Sequence, residues 1–445
     1  MTEESTCEGK IQRCAQNDTT TKRCSDMKYI LVIGDGMADN PVEALGGKTP
    51  LQYARIPAMD ALASKGIVGS VLNVPDGLPA GSDTAILSIF GCDPRVCYTG
   101  RAPLEAAAGG IGLQPGDVAY RCNMVAYEDA DIPFEEKRIL SHSAGSIEGE
   151  ESAQLVRELW NDQRFRVLAD RVGMMVYPSL SFRHIAVQKS ADIKGIILIP
   201  PHDHLGEEIG PLLPAGCDNA DVLRGLMVKA HEVLDLHPLN QKRRTEGKLP
   251  ANGIWFWAEG TAVTLPQFQK AYGKTGGVIS AVPLCHGIAS LVGLEPVTVE
   301  GATGELETNY EGKVHAALGV LQKHDFVAIH VEAPDECTHN GDLKGKLQAI
   351  EWLDSRVILP LTEKLSGQGI PYRLLILSDH KTLTATRGHD GDPVPFLLYD
   401  SRKNEGTGRT YSEKDGGHGP YIGAGIDLMG MLFEQYDVLN RKRLR

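Results

Sequence analysis

The apolar residues of this chain gather into a few unbroken runs separated by polar turns. Residues 29–33, 326–331 and 374–377 are the clearest. Such runs, bounded by turn residues, read as strands buried on both faces, the pattern of a parallel sheet covered by helices. Residues 68–72 read as a further strand, and 51–54, 59–63 and 85–90 as helices. In the stretch 346–365, Leu347, Ile350, Leu353, Val357, Leu361 and Leu365 recur at helical spacing, which predicts a helix whose apolar face packs on the sheet.

From about Asp117 the pattern changes. Residues 151–159 and 221–234 read as helices, and 182–187 and 196–199 as strands. The apolar stretch 253–257 and a Gly/Lys-rich turn at 273–277 close this segment. At 445 residues the chain exceeds the usual size of one domain, so an insertion is the natural reading. The expected organisation is an α/β core with a mostly parallel sheet, made of 27–116 and 283–445, interrupted by an α+β domain at 117–282. Residues 1–26 are polar and without periodicity, which predicts a disordered extension.

The strand exits carry the chemistry. In open α/β sheets, ligands bind beyond the carboxyl ends of the strands. Asp35 follows the first run, Asp335 and His339 follow the second, and Asp379, His380 and His389 follow the third. Converging buried carboxylates are costly without a cation, so these residues form a candidate metal site. Mixed oxygen and imidazole donors suit manganese, zinc, iron or cobalt and admit magnesium. Ser82 follows a glycine where a helix begins, a place that favours an anion. It reads either as a helix cap or as a nucleophile beside the metal. Arg101 is a candidate for an anionic substrate, and Arg121, Arg183, His202 and Asp203 are candidate substrate-binding residues in the inserted segment. Arg183 and His184 adjoin in a strand pattern, so one of them must point inward.

Composition narrows the partners. A formal charge of -13 disfavours nucleic acid. No apolar run approaches the roughly 20 residues of a membrane span, and no signal peptide is visible at the start. The nine cysteines include no CxxC pair and read as free thiols of a reducing compartment, by default the cytoplasm. A homo-oligomer is neither required nor excluded.

Taken together, Gly34-Asp35-Gly36, Gly81-Ser82-Asp83, Glu332-Ala-Pro-Asp335 with His339, Ser378-Asp379-His380 and His389-x-x-Asp392-Pro-Val-Pro-Phe resemble the cofactor-independent phosphoglycerate mutases of archaeal type, of the alkaline phosphatase superfamily. The likeness runs in the same order from Met27 to the C-terminus. It implies an alkaline-phosphatase-like core and two divalent ions, commonly manganese, with magnesium, zinc or cobalt as alternatives. Carried over residue by residue, it assigns one ion to Asp335, His339 and His389, and the other to Asp35, Ser82, Asp379 and His380. It makes Ser82 the nucleophile that takes a phosphoryl group from a small phosphorylated hydroxy acid and returns it to the neighbouring hydroxyl.

The chain departs from the family pattern at three places. His286 stands where the family has a lysine, and Ser141 and Ser146 replace an aspartate and an arginine of the insertion. Residues 395–401 also resemble a homoserine kinase-like branch with the same metal motifs. A phosphotransferase of that kind, or a non-catalytic binding protein, is therefore the alternative to a mutase.

Overall fold

The computed structural model describes residues 27–404, 406–437 and 442–443. The expected disordered extension, with Cys7, Cys14 and Cys24, lies outside the described residues; the other six cysteines are free thiols.

The chain first lays down β1 (Lys28–Gly34) and β2 (Ile67–Val71). It then builds β3 (Val118–Tyr127), β4 (Ile139–Ser141), β5 (Met174–Tyr177), β6 (Arg183–Gln188) and β7 (Gly253–Thr261). It returns with β8 (Gly276–Ile279), β9 (Glu295–Val297), β10 (Phe326–Val331) and β11 (Tyr372–Leu377). The hairpin β12 (Lys381–Leu383) and β13 (Gly388–Asp390) precedes β14 (Val394–Asp400) and β15 (Tyr421–Ile422).

Among the described residues, one eight-stranded sheet has the order β15-β2-β14-β11-β1-β10-β8-β9. Only the two pairings of β14 are antiparallel, so the sheet is mostly parallel, as expected. Its central strands show why their sequence runs are unbroken. Tyr29, Leu31 and Ile33 of β1 enter one core with helices Ser82–Ile89 and Pro283–Val292. Ile30 and Val32 enter the opposite core with helices Pro57–Ala63 and Tyr310–Lys323. Alternate residues point to opposite faces, and both faces are covered. Each fully buried aliphatic side chain contributes about 1.5–3 kcal/mol of transfer free energy.

The predicted helix at 346–365 is helical throughout, with a π segment at Leu353–Ile358 between Leu343–Trp352 and Leu359–Gly367. The six apolar residues of its expected face all pack on the second core.

A five-stranded sheet, by contrast, is antiparallel. β3 lies between β6 and β7, β5 extends it beyond β6, and β4 pairs the end of β3. Two readings of this region need correction. Residues 196–199 are no strand: Ile197 makes a single bridge to Ala215, because Gly195 turns at positive φ and Pro200 and Pro201 lack amide donors. Residues 273–277 are not only a turn, since β8 starts at Gly276 and pairs in parallel with β10. The chain therefore re-enters the large sheet before the expected return at 283.

Candidate active site

The carboxyl ends of β1, β10 and β11 meet at one point. β1 ends at Gly34, and Asp35 follows it, 1% exposed. Gly36 turns away at φ 60°, and a Cβ there would collide with Thr382 Oγ1 and meet Asp335 Oδ1 at 2.7 Å. Only glycine permits that turn beside a second carboxylate. Asp335 and His339 lie one helical turn apart in Ala333–His339, which starts as β10 ends. Asp379 and His380 follow β11, and the β12–β13 hairpin brings back His389 opposite Thr382.

The seven metal candidates converge. Asp35, Asp379 and His380 place one ligand atom each within 4.8 Å of one another, and so do Asp335, His380 and His389. His380 is common to both groups, and its ring centroid is 4.2 Å from that of His389. His339 Nε2 lies 3.1 Å from Asp335 Oδ2 and 2.9 Å from His389 Nε2. Ser82 is the first residue of helix Ser82–Ile89, and its Oγ lies 3.2 Å from both Asp35 Oδ2 and His380 Nε2. Gly81, not Ser82, occupies the N-cap position, so the reading of Ser82 as a cap does not hold.

The electrostatics of this cluster fit a cation. Asp379 Oδ1 accepts from the amides of Gly36 (3.2 Å) and His380 (2.8 Å). Its Oδ2 and the Oδ1 of Asp35 are buried without a hydrogen-bond donor. Burial, then Asp379 and Asp335, push the Asp35 carboxyl well above the usual range. A metal ion would satisfy both stranded oxygens and reverse that shift.

Beside the cluster, a cleft of about 880 Å³ runs between the two sheets. Arg101, Glu105, Arg183, Ser280, His286 and Glu332 are among the residues lining it. Arg183 stacks near Phe182 and Trp257, at 5.2 and 5.5 Å from the ring centres, and its Nε is buried without a partner. Burial, then Arg121, pull the Arg183 guanidinium down to about 10. A bound anion would relieve both effects.

A family model described as 2,3-bisphosphoglycerate-independent phosphoglycerate mutase matches residues 63–240. A relative of that name from Methanosarcina barkeri is 43% identical over 412 residues, 91% of this chain and 99% of its own length. The chain belongs to this family. A Methanothrix thermoacetophila member is 45% identical, covering 84% of this chain and 90% of its own. The solved cofactor-independent phosphoglycerate mutase of Thermoplasma acidophilum is 26% identical and superimposes with a TM-score of 0.60, over 92% of this chain and 99% of that one. A Pyrococcus horikoshii structure reaches 0.75 at 29% identity, over 94% and 99%.

The residues expected to bind substrate divide into three groups. Arg101, Arg183 and His286 line the cleft, and His286 Nε2 is buried without a partner. Arg121 is 4% exposed and engaged by Glu105, with its Nε 2.9 Å from Oε2 and Nη2 on Oε1, so its guanidinium fork is already taken. His202 and Asp203 stand outside the cleft lining; His202 rests on Trp257 at 5.1 Å and Asp203 is exposed. His184, not Arg183, is the inward residue of the pair, fully buried between Ser152 and the Ser179 amide.

Four supporting residues escaped the sequence reading. His330 Nε2 is 2.9 Å from Asp35 Oδ2. Thr382 Oγ1 donates to Asp335 Oδ1 at 2.5 Å. Lys313 donates to the His330 carbonyl, and Lys346 to the Thr382 carbonyl and Asp39. Both lysines occupy the apolar stripe of their helices, which was the available signal.

Proposed function

We propose that this protein interconverts 3-phosphoglycerate and 2-phosphoglycerate, with Ser82 carrying the phosphoryl group between the two hydroxyls. The observation that carries the reading is Ser82 Oγ held 3.2 Å from Asp35 and His380, beside two buried carboxylate oxygens without donors. The activity for which the family's members are named favours this over a homoserine kinase-like phosphotransferase or a binding protein.

We assign one divalent ion to Asp335, His339 and His389, and the other to Asp35, Ser82, Asp379 and His380. Manganese is the first choice, with magnesium, zinc or cobalt as alternatives. When bound, the ions lower the pKa of the serine hydroxyl and neutralise charge on the phosphoryl oxygens. Ser82 Oγ attacks phosphorus as the ester bond to the glycerate oxygen breaks; the serine gives up its proton and the departing oxygen gains one, leaving phosphoserine and free glycerate. The glycerate turns, and its other hydroxyl attacks phosphoserine, freeing Ser82 again. Splitting the transfer in two lets one nucleophile serve both directions. Arg183 is placed to hold the substrate carboxylate, because a guanidinium binds it in a two-point fork. The sheet of β3–β7 acts as a cap that closes over the cleft and keeps water from phosphoserine.

The test is Ser82→Ala with 3-phosphoglycerate as substrate. Turnover should vanish, and acid-quenched native enzyme should carry phosphoserine that the variant lacks. Near-normal turnover by the variant would replace this scheme with direct transfer.

A further inference from the structure

We propose that the Ser280–His330 pair is a positioning device that aims Asp35 at the cation. The inference rests on the assignment of Asp35 as a metal ligand made above. His330 lies on β10, 2% exposed, in the strand beside the one that delivers Asp35. Its Nε2 is 2.9 Å from Asp35 Oδ2 and its Nδ1 is 3.1 Å from Ser280 Oγ. The hydrogens in this chain can be assigned from the partners. Ser280 Oγ accepts the Val282 amide at 2.9 Å, so its own hydrogen is free for Nδ1. A carboxylate oxygen only accepts, so Nε2 carries the hydrogen given to Asp35.

That bond occupies Oδ2 and leaves Oδ1 without a donor, on the side of His380, whose Nε2 is 3.6 Å away. The backbone that carries the ring is held from behind, since Lys313 Nζ donates to the His330 carbonyl at 2.8 Å. A carboxylate whose second oxygen is pinned by a fixed donor has less freedom to lose when the cation arrives. Partners of this kind typically change metal affinity or activity by about 10–100-fold. The same Oδ2 faces Ser82 Oγ, so loss of the pin also disturbs the nucleophile. Ser280 lines the cleft, which makes the relay a link between the cleft wall and the metal-binding carboxylate.

The experiment titrates Mn²⁺ alone into the metal-free full-length protein, following free Mn²⁺ by electron paramagnetic resonance. His330→Asn keeps an acceptor for Ser280 but has no donor reaching Asp35; His330→Gln restores an amide donor near the Nε2 position. The proposal expects His330→Asn to weaken one of the two binding steps by about 10–100-fold and His330→Gln to recover most of it. In turnover, His330→Asn should lower kcat more than it changes KM. Asp35→Asn identifies which binding step belongs to this carboxylate. If that step falls in Asp35→Asn but is unchanged in His330→Asn, the positioning role is overturned and the metal assignment stands. If Asp35→Asn binds Mn²⁺ like the native protein, the metal assignment itself fails. Should His330→Asn not fold, Ser280→Ala decides: it must weaken the same step relative to native, and unchanged binding overturns the proposal.

Discussion

Acid should loosen the turn that carries Arg183, and the magnitude follows from one buried histidine. His184 is fully buried, its Nδ1 accepts the Ser179 amide at 3.0 Å and its Nε2 lies 3.2 Å from Ser152 Oγ. Ser152 Oγ in turn donates to the Ser181 carbonyl. The amide can only donate, so Nδ1 must be unprotonated; a proton there breaks the bond that fixes Ser179. Burial, then the charge of Arg157, pull His184 down from 6.5 to about 4. Above pH 6.5 both folded and unfolded chains are neutral at this residue, and the full stability is present. As pH falls below 6.5 the unfolded chain takes a proton that the folded chain refuses, and stability is lost until the folded residue titrates near 4. A difference of about 2.5 units corresponds to roughly 3 kcal/mol. The comparison is with His184→Asn, whose amide oxygen still accepts the Ser179 amide but does not titrate. Three of the four tryptophans, Trp160, Trp255 and Trp257, lie in or near the antiparallel sheet, so their fluorescence reports its urea unfolding. The stability advantage of native protein over the variant should shrink by about 3 kcal/mol between pH 7 and pH 4. A difference that stays constant over that range refutes the assignment.

Two further outcomes test the site and its support. Arg183→Lys should raise KM for 3-phosphoglycerate by about tenfold or more, because an ammonium replaces a two-point contact with one, and unchanged kinetics would remove Arg183 from substrate binding. Lys346→Met should cost about 3–5 kcal/mol in urea unfolding, since it leaves Asp39 buried beside an unanswered Thr382 carbonyl; a loss below about 1 kcal/mol would show that the Thr384 donors suffice for Asp39.

The central strands were legible because burial on both faces removes polar residues from the run, and the candidate ligands were legible because most of them stand just past the run's end. Ser82 was legible as a helix start, but only the fold could turn its hydroxyl toward Asp35 and His380 rather than toward its own helix. The edge of the antiparallel sheet was harder. β4 is three residues long and β5 four, with side chains partly in solvent, and stretches so short show no period that separates a strand from a loop. Residues 196–199 erred in the other direction. Ile196, Leu198 and Ile199 do pack on the core of that sheet, but packing demands only hydrophobicity, whereas a strand also demands backbone donors in register. Arg121 shows a third kind of failure: its partner Glu105 lies sixteen residues away on another element, and no spacing rule connects them.

The missed residues share a physical signature. Lys313 falls on the stripe that contains Tyr310, Val314 and Ala317, and Lys346 on the stripe of Ala349, Ile350 and Leu353. Helical periodicity counts a lysine as a break in the apolar face, yet a lysine on that face is buried and must find acceptors there. Here both ammonium groups are at most 1% exposed and reach backbone carbonyls at His330 and Thr382. Those two residues hydrogen-bond Asp35 and Asp335 through their side chains. Each lysine thus fixes the backbone of a residue that in turn fixes a carboxylate of the candidate metal site. His330 carries the same signature within a strand, an ionisable residue in an otherwise apolar run, in register with Ile33 and so close to the residue that follows Gly34. A charged residue standing where the apolar period requires a hydrophobic one therefore points to the support of a site, as carboxylates beyond the strand ends point to the site itself.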